Sequence, residues 1–265
     1  MASTAIQANL GQDDCVSILG VKVHATDMDR ALARIESAVH NGEKGYVCVT
    51  GVQGVMEAQA NSNLKRIIND ALLNIPDGRP TVWVGWLRGF FKMRQVTGPC
   101  MMLRLCALSQ EKGYTHFFYG GNDGVARQLK ETLTERFPNM RVVGTYTPPF
   151  RPLNPEEEAD LIRTVADTRP DFFWVGLSTP KQEKFMDQYV SKLDTKLMFG
   201  VGAAFDIHTG RIKDAPYWMK VTGVQWLHRI YQDPRRLWKR YLLNNPKFVY
   251  QIMLELLGIA KYESA

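Results

Sequence analysis

The sequence predicts an α/β fold, Rossmann-like, with a mainly parallel sheet flanked by helices and with a C-terminal helical appendage. Short apolar runs alternate with amphipathic helical patterns, the order that parallel strands and helical crossovers produce. Glycine-rich loops follow the strands, and the alternation stops after Gly210. We therefore divide the chain into an α/β domain, residues 1–210, and a basic, aromatic helical appendage, residues 211–265.

The elements follow from hydrophobic spacing and from Pro and Gly punctuation. Buried strands are predicted at residues 46–50, 115–119, 141–145, 172–176 and 197–201. Helices are predicted between them at residues 124–137, 155–168 and 180–193. Four consecutive helices are predicted in the appendage, at residues 215–223, 224–231, 234–243 and 246–257, with Pro234 and Pro246 in first turns.

The excess positive charge lies at the C-terminal end. Residues 211–265 contain ten Lys and Arg against four Asp and Glu, whereas residues 1–210 contain 23 of each. A basic segment beside a balanced body indicates an anionic partner such as lipid headgroups, diphosphate or nucleic acid. We disfavour nucleic acid because no recognised binding module is present.

Cysteine spacing and segment length narrow the class further. Cys15, Cys48, Cys100 and Cys106 lack the close pairs of zinc and redox motifs, so we interpret them as reduced, buried thiols. The N-terminal segment does not resemble a secretory signal, and no apolar run has the length of a membrane span. We expect a cytoplasmic protein that lies on a membrane without crossing it.

Five distinctive loops follow the predicted strands: VTGVQG, YGGNDG, TYTPPF, GLSTPKQE and GVGAAFDIHTG. Glycine lets the backbone approach a ligand closely, and a following helix N-terminus offers N–H groups to phosphate. Ligands of parallel sheets bind beyond the carboxyl ends of the strands. One nucleotide-binding crevice explains all five loops, although strand-to-helix packing alone explains any single one.

Four polar residues in these strand-end regions are each consistent with a functional role or a structural one. Asp77 in NIPDGRP is a general base or a turn former, and Thr50 is a ligand contact or a helix cap. Gln182 and Glu183 in TPKQEKF bind sugar hydroxyls or the edge of a uracil. Alternatively, Gln182 forms a capping box with Thr179. Asp206 in AAFDIHTG is a further loop acid.

Metal and cofactor motifs are weak. Asp27 and Asp29 form an Asp-x-Asp pattern, but they lie at a helix start, where carboxylates stabilise the dipole. The sequence has neither a G-x-G-x-x-G that opens a βαβ unit nor a Walker-type phosphate loop. We expect no metal and no cofactor.

The appendage alternates basic and aromatic residues. Helical spacing places Arg229, Arg236 and either Lys239 or Arg240 near one face, where arginine forks suit diphosphate. Interleaved aromatic residues suit a lipid interface; we predict membrane or diphosphate contact for Arg235, Lys239 and Trp238. A solvated basic face over an aromatic core is the alternative.

Ordered motifs over roughly residues 17–257 resemble the WecG/TagA/CpsF glycosyltransferases, glycosyltransferase family 26. They are VTGVQGVMEAQ, PDGRPTVW, FFYGGNDGVA, TYTPPFRPL, VGLSTPKQE, GVGAAFDIHTG, APYWM and QDPRRLWKRYLLNNPKF. The resemblance implies an inverting, metal-independent enzyme that moves a hexose or N-acetylhexosamine from a UDP-sugar to a polyprenyl-diphosphate-linked saccharide. It further implies bacterial exopolysaccharide or cell-surface polysaccharide synthesis at the inner face of the plasma membrane, and it is compatible with a homo-oligomer.

The resemblance also implies residue roles. Asp77 would be the general base, Thr50 would lie beside the reacting sugar, and Gln182, with Glu183, would contact the donor. The nucleotide pocket would be formed by two loops, through Tyr119, Gly120, Gly121, Gly202, Phe205 and Asp206. Arg229, Arg236 and Lys239 or Arg240 would close over the site and stabilise the departing diphosphate.

The chain departs from the family pattern at three places. Val52 and Gln53 replace a frequent Asn or His, Gln95 replaces a common Arg, and Cys100 replaces a common Asp. Arg94 precedes Gln95, but a neighbouring residue points elsewhere on a helix or strand. These departures motivate an alternative function, a catalytically weak binding or scaffold component of a polysaccharide assembly complex.

Overall fold

The computed structural model describes residues 14–263, except the side chain of Arg236, whose predicted role therefore lies outside the described residues. The described residues form eight strands and twelve helices. The strands are β1 Cys15–Ile18, β2 Val21–His24, β3 Gly45–Thr50, β4 Leu73–Pro76, β5 Thr115–Gly120, β6 Arg141–Tyr146, β7 Phe172–Gly176 and β8 Leu197–Gly200. The helices are α1 Met28–His40, α2 Val52–Ala60, α3 Ser62–Asn69, α4 Arg79–Leu87, α5 Gly98–Lys112, α6 Val125–Arg136, α7 Pro155–Thr168, α8 Lys181–Tyr189, α9 Ala204–His208, α10 Tyr217–Val221, α11 Gln225–Gln232 and α12 Pro234–Leu256.

Six strands form one sheet in the order β4-β3-β8-β7-β5-β6, and all of its pairs are parallel. The remaining strands, β1 and β2, form a separate antiparallel hairpin. The predicted α/β, Rossmann-like class is therefore confirmed. Because every strand of the large sheet runs the same way, all of its carboxyl ends open onto one edge.

Hydrophobic residues cover both faces of this sheet, which explains the continuous apolar strands. Phe118 of β5 faces the core formed with α1, α5 and α6. Its neighbours Phe117 and Tyr119 face the opposite core, formed with α3, α7 and α8. The alternation along β5 therefore places the Tyr119 side chain on the α8 face, where the residues of the TPKQE motif lie.

A third core connects the hairpin to the end of the chain. Val16, Ile18 and Val23 of the hairpin pack with α2, α3 and α4, and Phe248 and Ile252 of α12 are buried in the same cluster. The C-terminal half of α12 thus packs directly against the body. The division at residue 210 stays a prediction, but the two parts share a core.

Two sequence-based expectations about elements are wrong. Residues 141–145 form a strand, but β6 is a half-exposed edge strand. The opposite edge strand, β4, is buried because the hairpin covers it, with Asn74 bonded to Lys22 and His24. Pro246 does not begin a helix; it lies inside the continuous helix α12. A proline inside a helix costs roughly 3 kcal/mol, and the buried side chains of Leu237, Phe248 and Ile252 on both sides of Pro246 offset this cost.

The cysteine expectation is confirmed in part. None of the four cysteines, all of which lie in the described residues, forms a disulfide, and Cys48 and Cys106 are buried. Cys100 is exposed and Cys15 is half-buried, so burial was wrongly predicted for these two. Cys100 lies in the first turn of α5, where Gly98, Met101 and Met102 take the buried face and leave Cys100 on the exposed one.

Candidate active site

A cavity of about 1230 Å³ opens at the carboxyl edge of the sheet. It exceeds the roughly 300–1,000 Å³ typical of small-molecule sites, and α10, α11 and α12 contribute to its wall. The structure brings eight of the predicted site residues to this wall: Asp77, Tyr119, Gly121, Gln182, Gly202, Asp206, Arg229 and Arg240.

Asp77 lies directly beyond β4. Pro76 pairs with Thr50 across the sheet, and the Asp77 backbone N–H donates to the Thr50 carbonyl at 3.0 Å. Gly78, with φ +98°, turns the chain into α4 immediately afterwards. This turn leaves the Asp77 carboxyl group at the cavity wall rather than in a cap of α4.

Two opposing effects set the acidity of Asp77. Burial raises the pKa of its carboxyl group from 3.8 to about 6, and the positive charge of Arg229 acts in the opposite direction. A carboxylate with a pKa near 6 is ionised at neutral pH and accepts a proton more readily than an ordinary aspartate. This acidity is suited to a general base.

Thr50 lies behind the wall instead of on it. Its side chain is buried under α2, where a Cβ added at Gly54 would stand 3.1 Å from the Thr50 methyl group. The neighbouring Gly51 lines the cavity, and it is also the N-cap of α2, without a side-chain cap bond. Thr50 is therefore not the helix cap, and its predicted place beside the sugar stays a prediction.

The loop after β5 requires glycine. Gly120 has φ +122°, and a Cβ there would stand 2.7 Å from the Gly176 carbonyl oxygen. The Gly121 N–H donates to the same oxygen at 3.1 Å. Gly120 thus holds the loop against β7, whereas Gly121 and the buried ring of Tyr119 line the cavity.

The loop after β8 also contains one residue that supports the loop and others that line the cavity. Phe205 is buried, and its ring lies 2.9 Å from where a Cβ of Gly176 would be. Gly202 and Asp206 line the cavity. Phe205 therefore acts as packing beneath the loop, while Gly202 and Asp206 are available to a ligand.

Gln182 and Glu183 open α8 but do not cap it. The Thr179 hydroxyl donates to Glu183 Oε1 at 2.8 Å, and Gln182 Nε2 donates to the same oxygen at 3.1 Å. The predicted Thr179–Gln182 capping box is absent from this described segment, because α8 has no side-chain cap bond. Gln182 lines the cavity, whereas Glu183 lies behind it.

The two faces of helix α12 have different surroundings. Leu237, Arg240 and Tyr241 line the cavity, at helical spacing. Arg235, Trp238 and Lys239 point away from it and are exposed, with Lys239 Nζ 5.5 Å from the Trp238 ring centroid. Of the two alternatives, Arg240 therefore joins Arg229 at the cavity and Lys239 does not.

Sequence reasoning missed several basic residues of the wall: Arg79, Arg211 and Lys220. Arg79 begins α4 two residues after Asp77, and its Nε donates to the Lys220 carbonyl at 3.3 Å. This bond joins α4 to α10. The position of Arg79 directly after the NIPDG turn was the sequence feature from which its place at the cavity could have been predicted.

The three departures from the family pattern have different surroundings. Gln53 and Gln95 line the cavity, whereas Cys100 does not. Arg94 does not replace the missing arginine, since its guanidinium donates to the Phe91 and Met93 carbonyls. Gln53 Oε1 instead accepts from Asn244 Nδ2 at 2.8 Å and so ties α2 to α12.

Asp27 has the structural role expected of a carboxylate at a helix start. It caps α1 through the Arg30 N–H and pairs with the Arg30 side chain, which helps to lower its pKa against the effect of burial. Within residues 14–263 no group of three or more His, Cys, Asp or Glu side chains is placed to hold a metal ion.

Exposed apolar residues concentrate at the end of the chain. Of the eighteen large hydrophobic side chains exposed in the described residues, fourteen lie between residues 217 and 259, including Trp218, Trp238, Leu242 and Leu243. Phe248, one of the aromatic residues interleaved with cations in the appendage, is buried and therefore does not face a lipid interface. No helix within the described part of the chain is both long and apolar enough to cross a membrane.

Fold and site together indicate an α/β enzyme, with acidic and basic side chains around a cavity at the carboxyl edge of a parallel sheet. The model of the glycosyl transferase WecG/TagA/CpsF family matches residues 16–262, and the chain belongs to that family. The resemblance seen in the motifs is thereby confirmed.

Three relatives of the chain share one enzyme name. The chain is 25% identical over 229 residues to an N-acetylglucosaminyldiphosphoundecaprenol N-acetyl-beta-D-mannosaminyltransferase of Bacillus spizizenii, covering 86% of each chain. It is 25% identical over 189 residues to the Bacillus subtilis enzyme of the same name, covering 71% of each. A Staphylococcus aureus enzyme of that name is 23% identical over 244 residues, covering 89% of this chain and 91% of its own.

Proposed function

We propose that the protein is an inverting glycosyltransferase that moves a hexose or N-acetylhexosamine from a UDP-sugar to a polyprenyl-diphosphate-linked saccharide. The observation that carries this proposal is Asp77, a carboxylate with a pKa of about 6 on the wall of a cavity that Arg229 and Arg240 also line. The names of the relatives support the acceptor class, because each includes an N-acetylglucosaminyl diphosphoundecaprenol.

The proposed reaction is a single displacement. An acceptor hydroxyl oxygen attacks the anomeric carbon while the Asp77 carboxylate takes the hydroxyl proton. The bond from the anomeric carbon to the β-phosphate oxygen breaks, and UDP leaves with the electron pair. Arg229 and Arg240 stabilise the negative charge that develops on the diphosphate, a role that metal ions have in other transferases.

Gln182 and the loops after β5 and β8 hold the donor in this proposal. Gly121 and Gly202 allow the backbone to approach the nucleotide diphosphate, and Gln182 contacts the sugar. The cavity volume is consistent with a nucleotide sugar together with the end of the acceptor.

The outward face of α12 meets the membrane in this proposal. Trp238, Leu242 and Leu243 are exposed there beside the cations Arg235 and Lys239. Apolar and aromatic side chains flanked by cations favour an anionic lipid surface. In this proposal, docking of α12 brings the enzyme to the cytoplasmic leaflet that holds the lipid-linked acceptor, while Arg240 on the opposite face of the same helix stays at the cavity.

The test is release of UDP from a panel of UDP-sugars with a short-chain polyprenyl-diphosphate-linked saccharide, without added metal. We expect release that requires the acceptor with the wild type, and a loss of at least a hundredfold with Asp77→Asn. The matched control is Asp160→Asn, since Asp160 is exposed on α7 and pairs with Arg163. Undiminished release by Asp77→Asn contradicts the assigned base, and no release with any donor favours the scaffold function.

A further inference from the structure

The strongest unexplained feature of the molecule is a pair of buried oxygens next to the cavity. Gln182 Oε1 and Glu183 Oε2 have no hydrogen-bond partner within the described residues, and both side chains are 2% exposed. A buried polar atom without a partner destabilises the fold. Such atoms at the edge of a cavity indicate groups that a ligand satisfies.

The orientation of the Gln182 amide follows from chemistry. Glu183 Oε1 already accepts a hydrogen bond from the Thr179 hydroxyl at 2.8 Å, and it is an acceptor for Gln182 at 3.1 Å. Only the NH2 end of the amide can donate to it, so the carbonyl end must point the other way. Glu183 thus fixes which end of Gln182 faces the ligand, and a proton on Oε2 would leave this orientation unchanged.

The carbonyl end of Gln182 faces a gap beside Gly202. A Cβ added at Gly202 would stand 3.5 Å from Gln182 Oε1, and the next atom, Ser178 Cα, is 3.9 Å away. The missing side chain of Gly202 therefore leaves room for one ligand group within hydrogen-bonding reach of Oε1. Gly202 follows β8, which is the neighbour of β3 and its terminal Thr50.

We infer that Glu183 is a positioning residue, which holds Gln182 so that its carbonyl oxygen accepts a hydrogen bond from the sugar of the donor in the gap beside Gly202. This inference rests on the proposed function and changes the predicted role of Glu183, which supports the contact without touching the donor. The ligand group is a hydrogen-bond donor, either a sugar hydroxyl or the N–H of a 2-acetamido group. Its place next to β8 and β3 puts it at the sugar rather than at the uracil.

The test compares Glu183→Leu with Glu183→Gln by calorimetric binding of UDP, a UDP-hexose and a UDP-N-acetylhexosamine. Leucine removes the acceptor that orients Gln182, and we expect at least one UDP-sugar to bind about tenfold more weakly while UDP alone is unaffected. Glutamine keeps an acceptor oxygen for Thr179 and Gln182, so it recovers most of the affinity. Weakening with both UDP-sugars assigns the group to a hydroxyl, and weakening confined to the N-acetylhexosamine assigns it to the acetamido N–H.

Stability separates positioning from a structural role. Glu183→Leu removes the unpaired Oε2, which stabilises the fold, and also the acceptor of Thr179 and Gln182, which destabilises it. We therefore expect only a small change in Tm, while KM for the donor increases and kcat changes less. Ser109→Ala is the control, because Ser109 is buried at the opposite edge of the sheet and bonds His116 at 2.9 Å. It is expected to lower Tm without a change in donor affinity.

Three results would overturn the inference. If Glu183→Leu bound every UDP-sugar with wild-type affinity, the inference would be overturned and the proposed function would stand. The same holds if its affinity for UDP fell as much as its affinity for the UDP-sugars, because the contact would then be to the uridine. Failure of the wild type to bind any UDP-sugar would overturn the proposed function as well. The amide is also tested without ligand: the Gln182 side-chain NH2 signals, identified by their loss in Gln182→Leu, should shift in Glu183→Leu and stay near their wild-type position in Glu183→Gln.

Discussion

Arg229 of α11 and Asp77 beyond β4 are 152 residues apart in sequence, yet the guanidinium charge of Arg229 acts on the Asp77 carboxyl group and lowers its pKa. Burial acts the other way and is the larger effect, so the pKa is about 6. The basic C-terminal region therefore contributes directly to the acidity of the group that we propose as the base.

The pH dependence of transfer tests this relationship. A base with a pKa of about 6 gives a rate that rises with pH through about 6 and then levels. Because Arg229 lowers the pKa, Arg229→Gln should move this midpoint to higher pH and lower the rate at every pH through weaker leaving-group stabilisation. The control Arg163→Gln, at an exposed position of α7, should leave the midpoint in place. An unmoved midpoint in Arg229→Gln would show that the charge of Arg229 does not reach Asp77.

The raised pKa of Asp77 also has a consequence for stability. A carboxyl group that binds its proton more tightly in the folded state makes the fold less stable as pH rises from 3.8 to about 6, and the deficit persists above that range. The full difference corresponds to about 3 kcal/mol. Asp77→Asn removes the ionisation, so it should raise Tm at pH 7.5 by several degrees while transfer is lost. A Tm gain that is equally large at pH 3.5, where the wild-type carboxyl group is protonated, would contradict this explanation.

The shared core of the body and α12 predicts a cost for changes in the C-terminal region. Phe248 is buried against the hairpin and α2, so Phe248→Ala should lower the free energy of unfolding by about 3–5 kcal/mol, as measured by urea denaturation. Tyr250→Ala, two residues away on an exposed part of α12, should change it by less than about 0.5 kcal/mol. Equal, small effects of both substitutions would mean that residues 211–265 are a separable unit.

Membrane binding should depend on the outward face of α12 and not on the cavity. Leu242 and Leu243 are 51% and 65% exposed, so replacing both by serine removes apolar area that is available to lipid without opening a core. We expect at least a tenfold loss of binding to vesicles with anionic lipid, measured by flotation. Turnover with a short-chain acceptor in solution should be retained, and equal loss of both activities would indicate misfolding instead.

The strands that the sequence predicted are those with strong local signals. The runs in β3, β5, β7 and β8 are buried on both faces and bounded by glycine-rich loops, so their patterns are continuous. The four-residue β4 ends in Pro76, and the hairpin turns at Leu19–Gly20 without an Asn-Gly or Asp-Gly pair. Short strands with weak turn chemistry do not stand out from a single sequence.

The site was predictable to the level of loops and not of side-chain direction. Asp77, Gln182 and Gly202 lie where strands end, and a parallel sheet brings such ends together. The choice between Lys239 and Arg240 depends on how α12 sits on the body, which is decided by the burial of Leu237 and by the contact of Trp226 with Tyr241. These are tertiary contacts, which helical periodicity alone does not predict. Tertiary packing likewise explains why α12 continues through Pro246.

The glycine pair across β5 and β7 gives the sharpest structural prediction. At Gly120 a methyl group would meet the Gly176 backbone at 2.7 Å, and the φ of +122° is unfavourable for any other residue. Gly113 has φ +73°, but nothing lies within 4 Å of its missing Cβ, so it isolates the conformational part of the cost. Gly113→Ala should lower the free energy of unfolding by about 1–2 kcal/mol and leave UDP binding intact. Gly120→Ala should cost more than that and weaken UDP binding, because the loop that carries Gly121 must move away from β7. Calorimetric UDP binding at a temperature where both variants are folded distinguishes the two, and intact binding by Gly120→Ala would exclude this loop from the nucleotide pocket.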